Sequence, residues 1–213
     1  RRFNDGLSRL LAYRCAQPAT ANVTVAVADG GFTLSMPLNR KVDIESILRA
    51  IDPEEVRADL RASLSGTDLR KRYFRINATR SLMILKRYKG HEKSASQQQV
   101  SSEMLLGFAE EKDDFAVMEE TYREILEDKL DVDAVEAFLA GVGSGDVDVS
   151  VTRVDSPSPR AFGLATLMAS DVVLAEDESA VLREFHDRVL AEIESEDGDA
   201  SERNDGGSAA DMG

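Results

Sequence analysis

The sequence predicts an α+β domain, predominantly helical, with a small antiparallel sheet that includes a β-hairpin. Three observations carry that expectation. Most apolar residues recur at helical spacing, and one stretch near the N-terminus alternates at period two around a glycine-rich turn. No apolar run approaches the roughly 20 residues that a membrane helix needs, so none is expected to span a bilayer. At 213 residues, with 42% hydrophobic and 31% charged, the chain has room for one sizeable domain or two small ones, with a real core.

Leu7, Leu10, Leu11 and Arg14 follow helical spacing, and the opening Arg1-Arg2-Phe3-Asn4 has neither an initiator methionine nor a signal-peptide pattern. This reads as a fragment whose first helix continues into further sequence. Asn22–Ala28 alternates Val23, Val25 and Val27 with Thr24 and Ala26; Asp29-Gly30-Gly31 then supplies a turn, and Phe32–Met36 returns as the second strand of a hairpin. Val42-Asp43 opens a short helix through Ile51. Pro53 starts another, which runs to Leu64 and stops at Gly66. A long helix is expected from Thr67 or Asp68 to about Tyr88, ended by Gly90. Ser94-Ala95-Ser96-Gln97 is a capping box for a helix to about Glu111. Amphipathic helices follow over Phe115–Lys129 and Asp133–Ala140. Gly141, Gly143 and Gly145 are then expected to form a turn into a strand at Val147–Val151. Ser156-Pro157-Ser158-Pro159 reads as a stiff connector, Ala161–Met168 as a buried apolar segment and Glu178–Glu194 as a last helix. The domain is therefore placed at residues 1–193, with 194–213 as a disordered acidic tail.

The net charge of −14, the pI near 4.6, the absence of Trp and a scarcity of Lys suit a salt-filled cytoplasm, where a dense carboxylate surface keeps proteins soluble. The single Cys15 reads as a small buried side chain in a reducing, cytoplasmic setting. Charge is unevenly spread. From Arg70 to Lys93, nine cations (Arg70, Lys71, Arg72, Arg75, Arg80, Lys86, Arg87, Lys89 and Lys93) stand against Glu92 alone, about +8 in an otherwise strongly negative chain. A stretch kept positive in such a background is expected to face an anion.

On a helical wheel Leu69, Tyr73, Ile76, Met83 and Ile84 share one face, and Phe74 and Leu85 a second. Lys71, Arg72, Arg75, Thr79 and Lys86 form a basic sector. Arg80 and Arg87 fall inside the main apolar face, and Arg80 is assigned a structural, domain-clamping role because a guanidinium is costly to bury alone. The turn Lys89-Gly90-His91-Glu92-Lys93 leads into the Ser94 cap, where free helix N–H groups suit a phosphate. Candidate nucleic-acid contacts are thus Lys71, Arg75, Lys86, Arg87, Tyr88, Lys89, Lys93, Ser94, Gln98 and Gln99. The alternative is that this surface docks on a neighbouring acidic domain.

Other motifs fail. His91-Glu92 lacks the second His of a zinc protease, no Cys/His set suits zinc, and Gly141-Val142-Gly143-Ser144-Gly145 follows a helix rather than a strand. His186 reads as a surface or packing residue. No phosphate-binding loop, nucleophile–base pair or metal site is present, so no catalytic residue is assigned.

The run Arg80-Ser81-Leu82-Met83-Ile84-Leu85-Lys86-Arg87-Tyr88-Lys89-Gly90-His91-Glu92-Lys93-Ser94, with Gln98-Gln99-Val100-Ser101-Ser102, resembles the C-terminal, DEAD/H-associated domain of Lhr-type (large helicase-related) ATP-dependent helicases. Gln17-Pro18-Ala19-Thr20, Thr121–Asp128, Pro157-Ser158-Pro159 with Ala161-Phe162-Gly163, and Ser170-Asp171-Val172-Val173-Leu174 support the resemblance over about residues 1–193. The acidic bias suggests a haloarchaeal member. The resemblance implies two RecA-like motor domains and a winged helix ahead of this piece. It also implies ATP and Mg²⁺ in those motors and translocation along single-stranded DNA or RNA, typically 3′ to 5′. The C-terminal domain would then close the strand channel. It implies no cofactor in the fragment itself and transfers no catalytic residue to it.

Overall fold

A computed structural model describes residues 1–17, 23–36, 42–112 and 114–154, and positions 158, 161, 163 and 164. The chain divides into two units, Arg1–Thr152 and Arg153–Gly213. The connector, the apolar 161–168 segment, the last helix, His186 and the acidic tail lie largely or wholly outside the described residues, as does Asn22. In the second unit the Ala161 N–H donates to the Ser158 carbonyl at 2.9 Å.

The first unit is mostly helical with two small antiparallel hairpins, as its sequence patterns require. Helix α1 (Arg2–Ala16) buries Leu7, Leu10, Leu11 and Cys15 along one face, the stripe that their spacing dictates. Its neighbour is a hairpin of β1 (Thr24–Ala28) and β2 (Gly31–Ser35), joined through Asp29-Gly30 with Val25 opposite Leu34 and Val27 opposite Phe32. Asp43 caps α2 (Ile44–Ala50) by accepting the Ser46 N–H at 3.1 Å. Pro53 opens a 3₁₀ turn that runs into α3 (Val56–Ser63), and Gly66, at φ 72°, turns the chain away. Thr67 caps α4 (Asp68–Arg80). Beyond it come β3 (Arg87–Tyr88), β4 (His91–Glu92), α5 (Ala95–Glu110) and α6 (Ala116–Arg123). A π-helical segment at Glu124–Lys129 then leads to α7 (Val132–Ser144).

Two packing groups share this core. Helix α1 runs against α2, α3, α7 and both hairpin strands, while α4 packs on α5 and α6; the π-helical segment touches both groups. Leu10, Val56, Leu60, Phe74 and Ile125 are fully excluded from solvent, each contributing about 2 kcal/mol of transfer free energy. Gly6 is required where α1 crosses the end of the π-helical segment, because a Cβ there would collide with the Leu130 carbonyl oxygen.

Three expectations are corrected. The long helix ends at Arg80, not near Tyr88. The Leu82 N–H donates to the Thr79 carbonyl at 3.2 Å and the Met83 N–H to that of Ala78 at 2.9 Å, the paired bonds of a Schellman stop, with Leu82 left-handed at φ 60°. Gly90 is therefore no helix stop. Lys89 and Gly90, both at positive φ (49° and 82°), are the central residues of a second hairpin, in which Arg87 pairs with Glu92 and Tyr88 with His91. Finally, α7 continues through Gly141 and Gly143 to Ser144, and residues 147–151 form no strand. The Val147 N–H instead returns to the Gly141 carbonyl at 3.0 Å, and the Val147 side chain covers the bare Gly141 backbone.

Two substitutions should move stability in opposite directions. Gly6→Ala is expected to lower it by about 2–3 kcal/mol through forced displacement of the Leu130 backbone. Leu82→Gly should raise it by about 1 kcal/mol, since the side chain is 74% exposed and only its left-handed backbone is relieved. Urea denaturation followed by far-UV circular dichroism measures both.

Candidate nucleic-acid interface

Helix α4 turns its most buried face, Arg70, Phe74, Asn77 and Ala78, into the core. Arg70 thus leaves the set of surface cations that its place in the basic segment suggested. Its Nη1 donates to the Tyr122 hydroxyl at 3.1 Å, its Nη2 forms an ion pair with Glu110, and its Nε has no acceptor. Asn77 donates to Thr121 at 3.4 Å beside it. These contacts tie α4 to α5 and α6. Arg61 stacks on the Tyr122 ring, 4.1 Å from its centroid, and pairs with Glu119, whose carboxyl its hydrogen bonds hold below the usual range.

With Arg70 turned inward, the next residues of α4 face outward. Lys71, Arg72 and Arg75 line a cleft between α4 and α5 whose other wall carries Gln99, Ser102 and Glu103, with Asp68 at one end. Lys71 lies 3.8 Å from Asp68, and Gln99 donates to Glu103 at 3.1 Å. Among the described residues no carboxylate pairs with Arg72 or Arg75. Elsewhere many arginines hold carboxylate partners, as Arg14, Arg49, Arg57, Arg61, Arg80 and Arg123 do. Arg80 is tied to Glu124 and reaches Asn77 at 3.4 Å, yet its side chain is 65% exposed rather than enclosed in the apolar face.

Lys86, Arg87, Tyr88, Lys89 and Lys93 belong to the β3–β4 hairpin and its base, not to α4. The Lys93 N–H donates to the Lys86 carbonyl at 2.8 Å and brings the two lysines side by side. Arg87 and Glu92 approach to 3.9 Å across the strands, both so exposed that the pair adds little stability. The Ser94 hydroxyl accepts the Gln97 N–H at 3.2 Å while Gln97 accepts that of Ser94 at 3.0 Å, completing the expected capping box. Gln98 donates to the Lys93 carbonyl at 3.0 Å and so braces the hairpin. The candidate residues thus fall into two groups: a cleft with Lys71, Arg75 and Gln99, and a hairpin base and tip with Lys86, Arg87, Tyr88, Lys89, Lys93, Ser94 and Gln98. Sequence reasoning set Arg72 in the basic sector but missed it as a cleft residue. It also missed the second hairpin: Lys89-Gly90 reads as a turn between two helices, whereas it joins two short strands.

An apolar patch accompanies these cations. Leu82, Met83 and Leu85 before the hairpin, and Val100, Met104 and Phe108 at successive four-residue steps on α5, are all exposed. Among the described residues no helix is long and apolar enough to cross a membrane, and no acidic, His or Cys cluster is arranged to hold a metal.

Together these features define a mostly helical domain with a basic cleft, a cationic hairpin and exposed apolar side chains. The chain belongs to the DEAD/H associated family, whose model matches residues 1–161. It is 39% identical over 194 residues to the ATP-dependent helicase Lhr-Core protein 2 of Thermococcus barophilus, covering 91% of this chain and 22% of that relative. To the ATP-dependent helicase Lhr-Core of Sulfolobus acidocaldarius it is 36% identical over 191 residues, 89% of this chain and 22% of the relative. The chain therefore spans about a fifth of the length of these relatives. The structure of Mycobacterium smegmatis helicase Lhr bound to ssDNA and AMP-PNP shares its fold, with a TM-score of 0.64 and 23% identity over 76% of this chain and 21% of that one.

Glu110→Gln should destabilise the fold by about 2–3 kcal/mol, because it leaves the buried Arg70 charge uncompensated. Arg75→Gln should change stability by less than about 0.5 kcal/mol. Thermal melts of both variants make the comparison.

Proposed function

We propose that this chain is the accessory domain of an Lhr-type ATP-dependent helicase, and that it holds single-stranded DNA or RNA by its phosphates and closes the strand channel. The carrying observation is that Arg72 and Arg75 line a cleft without carboxylate partners among the described residues, in a protein of net charge −14. Carboxylates are abundant enough to neutralise them, so an open pair of guanidinium forks suits an external anion. The second group, Lys86, Arg87, Lys89 and Lys93, lies on the hairpin and at its base and adds four cations. Tyr88 adds a stacking group by its chemistry, and Gln99 an amide at the cleft wall. The ssDNA in the fold relative supports this reading.

In this reading ATP and Mg²⁺ are handled by motor domains of the whole protein, beside a winged helix, and the setting is cytoplasmic. If that cytoplasm holds molar salt, the screening length shrinks to about 3 Å, and binding depends on fixed hydrogen bonds more than on counterion release. The exposed Met104 and Phe108 on α5 favour a second role, docking on a neighbouring domain.

Fluorescence anisotropy with oligo-dT tests the strand reading. Changing Lys71, Arg72 and Arg75 together to Gln should weaken binding about tenfold or more. It should also reduce the slope of log K against log salt by about 2, near 0.7 per lost phosphate contact. Unchanged affinity and slope in a folded variant would show that these cations do not hold the strand. Met104→Ser with Phe108→Ser should leave oligo-dT affinity unchanged; in the full-length protein, impaired unwinding by this pair alone would favour docking.

A further inference from the structure

A second concavity combines an apolar wall with a cation that has no acceptor among the described residues. It is a half-open cleft of about 370 Å³ between α1 and β1. Val25 and Val27 line it from one face of the hairpin. Their cross-strand partners on that face, Leu34 and Phe32, reach the core, so the β1 half of the face is left bordering the cavity. From α1, one turn apart, come Asp5, Arg9 and Tyr13, and Lys129 closes one side.

Arg9 is half-buried. Burial lowers its pKa against the opposing pull of Asp5. Asp5 stands one helical turn away and would be its natural partner, but that carboxylate lies 3.5 Å from the Lys129 ammonium instead. Among the described residues no group accepts a hydrogen bond from the Arg9 guanidinium, which faces the cavity. A partly desolvated guanidinium loses hydration and here gains no bond in return from the described residues.

We propose that this cavity binds a nucleoside phosphate, with the phosphate on Arg9 and the base against the Val25–Val27 wall. A bare inorganic anion would leave the valines facing water, and a wholly apolar ligand would leave Arg9 without an acceptor. A nucleoside phosphate meets both requirements, and its size falls within that of small-ligand pockets. The guanidinium fork matches two phosphate oxygens. Asp5 accepts from an amino or hydroxyl group of the ligand. The nucleotide can be free in solution or belong to a bound strand. The site shares no residue with the α4–α5 cleft.

Calorimetric titration of the 213-residue chain with AMP, UMP, adenosine and inorganic phosphate tests the proposal. A nucleotide should bind at least about tenfold more tightly than adenosine or phosphate alone. Arg9→Gln should weaken it by about tenfold, the loss of a charge-assisted bond, and Arg9→Lys by less. Arg72→Gln with Arg75→Gln should leave nucleotide binding unchanged, which separates this site from the strand surface. Val25→Trp, which fills the cavity while keeping Arg9, should also abolish binding. Competition by oligo-dT, lost in Arg9→Gln, assigns the site to a strand nucleotide; simultaneous binding of both assigns it to a free one. Failure of both AMP and UMP to bind overturns the proposal, and so does binding that neither Arg9→Gln nor Val25→Trp alters in a folded chain.

Discussion

The buried Arg70 is the interaction on which the candidate interface depends. Its guanidinium joins α4 to Glu110 at the end of α5 and to Tyr122 on α6. A helix anchored at one residue has its other azimuths set at about 100° per step, so Lys71, Arg72 and Arg75 are carried to the opposite side by geometry alone. The α4–α5 cleft is the consequence. Replacing the ion pair with apolar residues could preserve packing but would remove the charge that selects this rotation.

A second constraint is the competition for cations in an acidic chain. Where carboxylates are in excess, most surface arginines are drawn into pairs, as Arg57 is with Asp133 and Glu136 and Arg123 with Glu120 and Glu127. An arginine left open in a concavity is then informative, because a local carboxylate would have been easy to supply. Arg72 and Arg75 meet that description on one side of the molecule and Arg9 on another. The same property links the α4–α5 cleft with the half-open cavity beside Arg9. The exposed apolar residues on α5 add a different chemistry next to the first of these, one suited to contact with protein.

Much of the architecture was legible locally. Asp43, Thr67 and Ser94 cap the helices they were expected to start, and Asp29-Gly30 turns the first hairpin, because capping and turn chemistry act within four residues. The end of α4 was not legible. Its Schellman stop uses Leu82, a residue with no intrinsic preference for left-handed backbone, where the usual glycine signal is absent. Hydrophobic spacing continues through Ile84 and Leu85, so the periodicity suggested helix where the chain had already turned. Gly141 and Gly143 erred in the other direction: they read as a turn, but helix packing and the returning Val147 keep them helical.

By itself the sequence determined the helical α+β class, the helix starts, the first hairpin, the basic stretch from Arg70 to Lys93 and the family resemblance. These depend on composition, short-range spacing and residue order. Only the tertiary structure decided which cations in that stretch face outward. Arg70 is consumed by the core and Arg80 by Glu124, whereas Arg72 and Arg75 remain open and Lys86 and Lys93 are brought together by a hairpin. For Arg70 and Arg80 the partner lies 40 or more positions away, in Glu110 and Tyr122 for the first and Glu124 for the second, and such proximity exists only once the chain has folded.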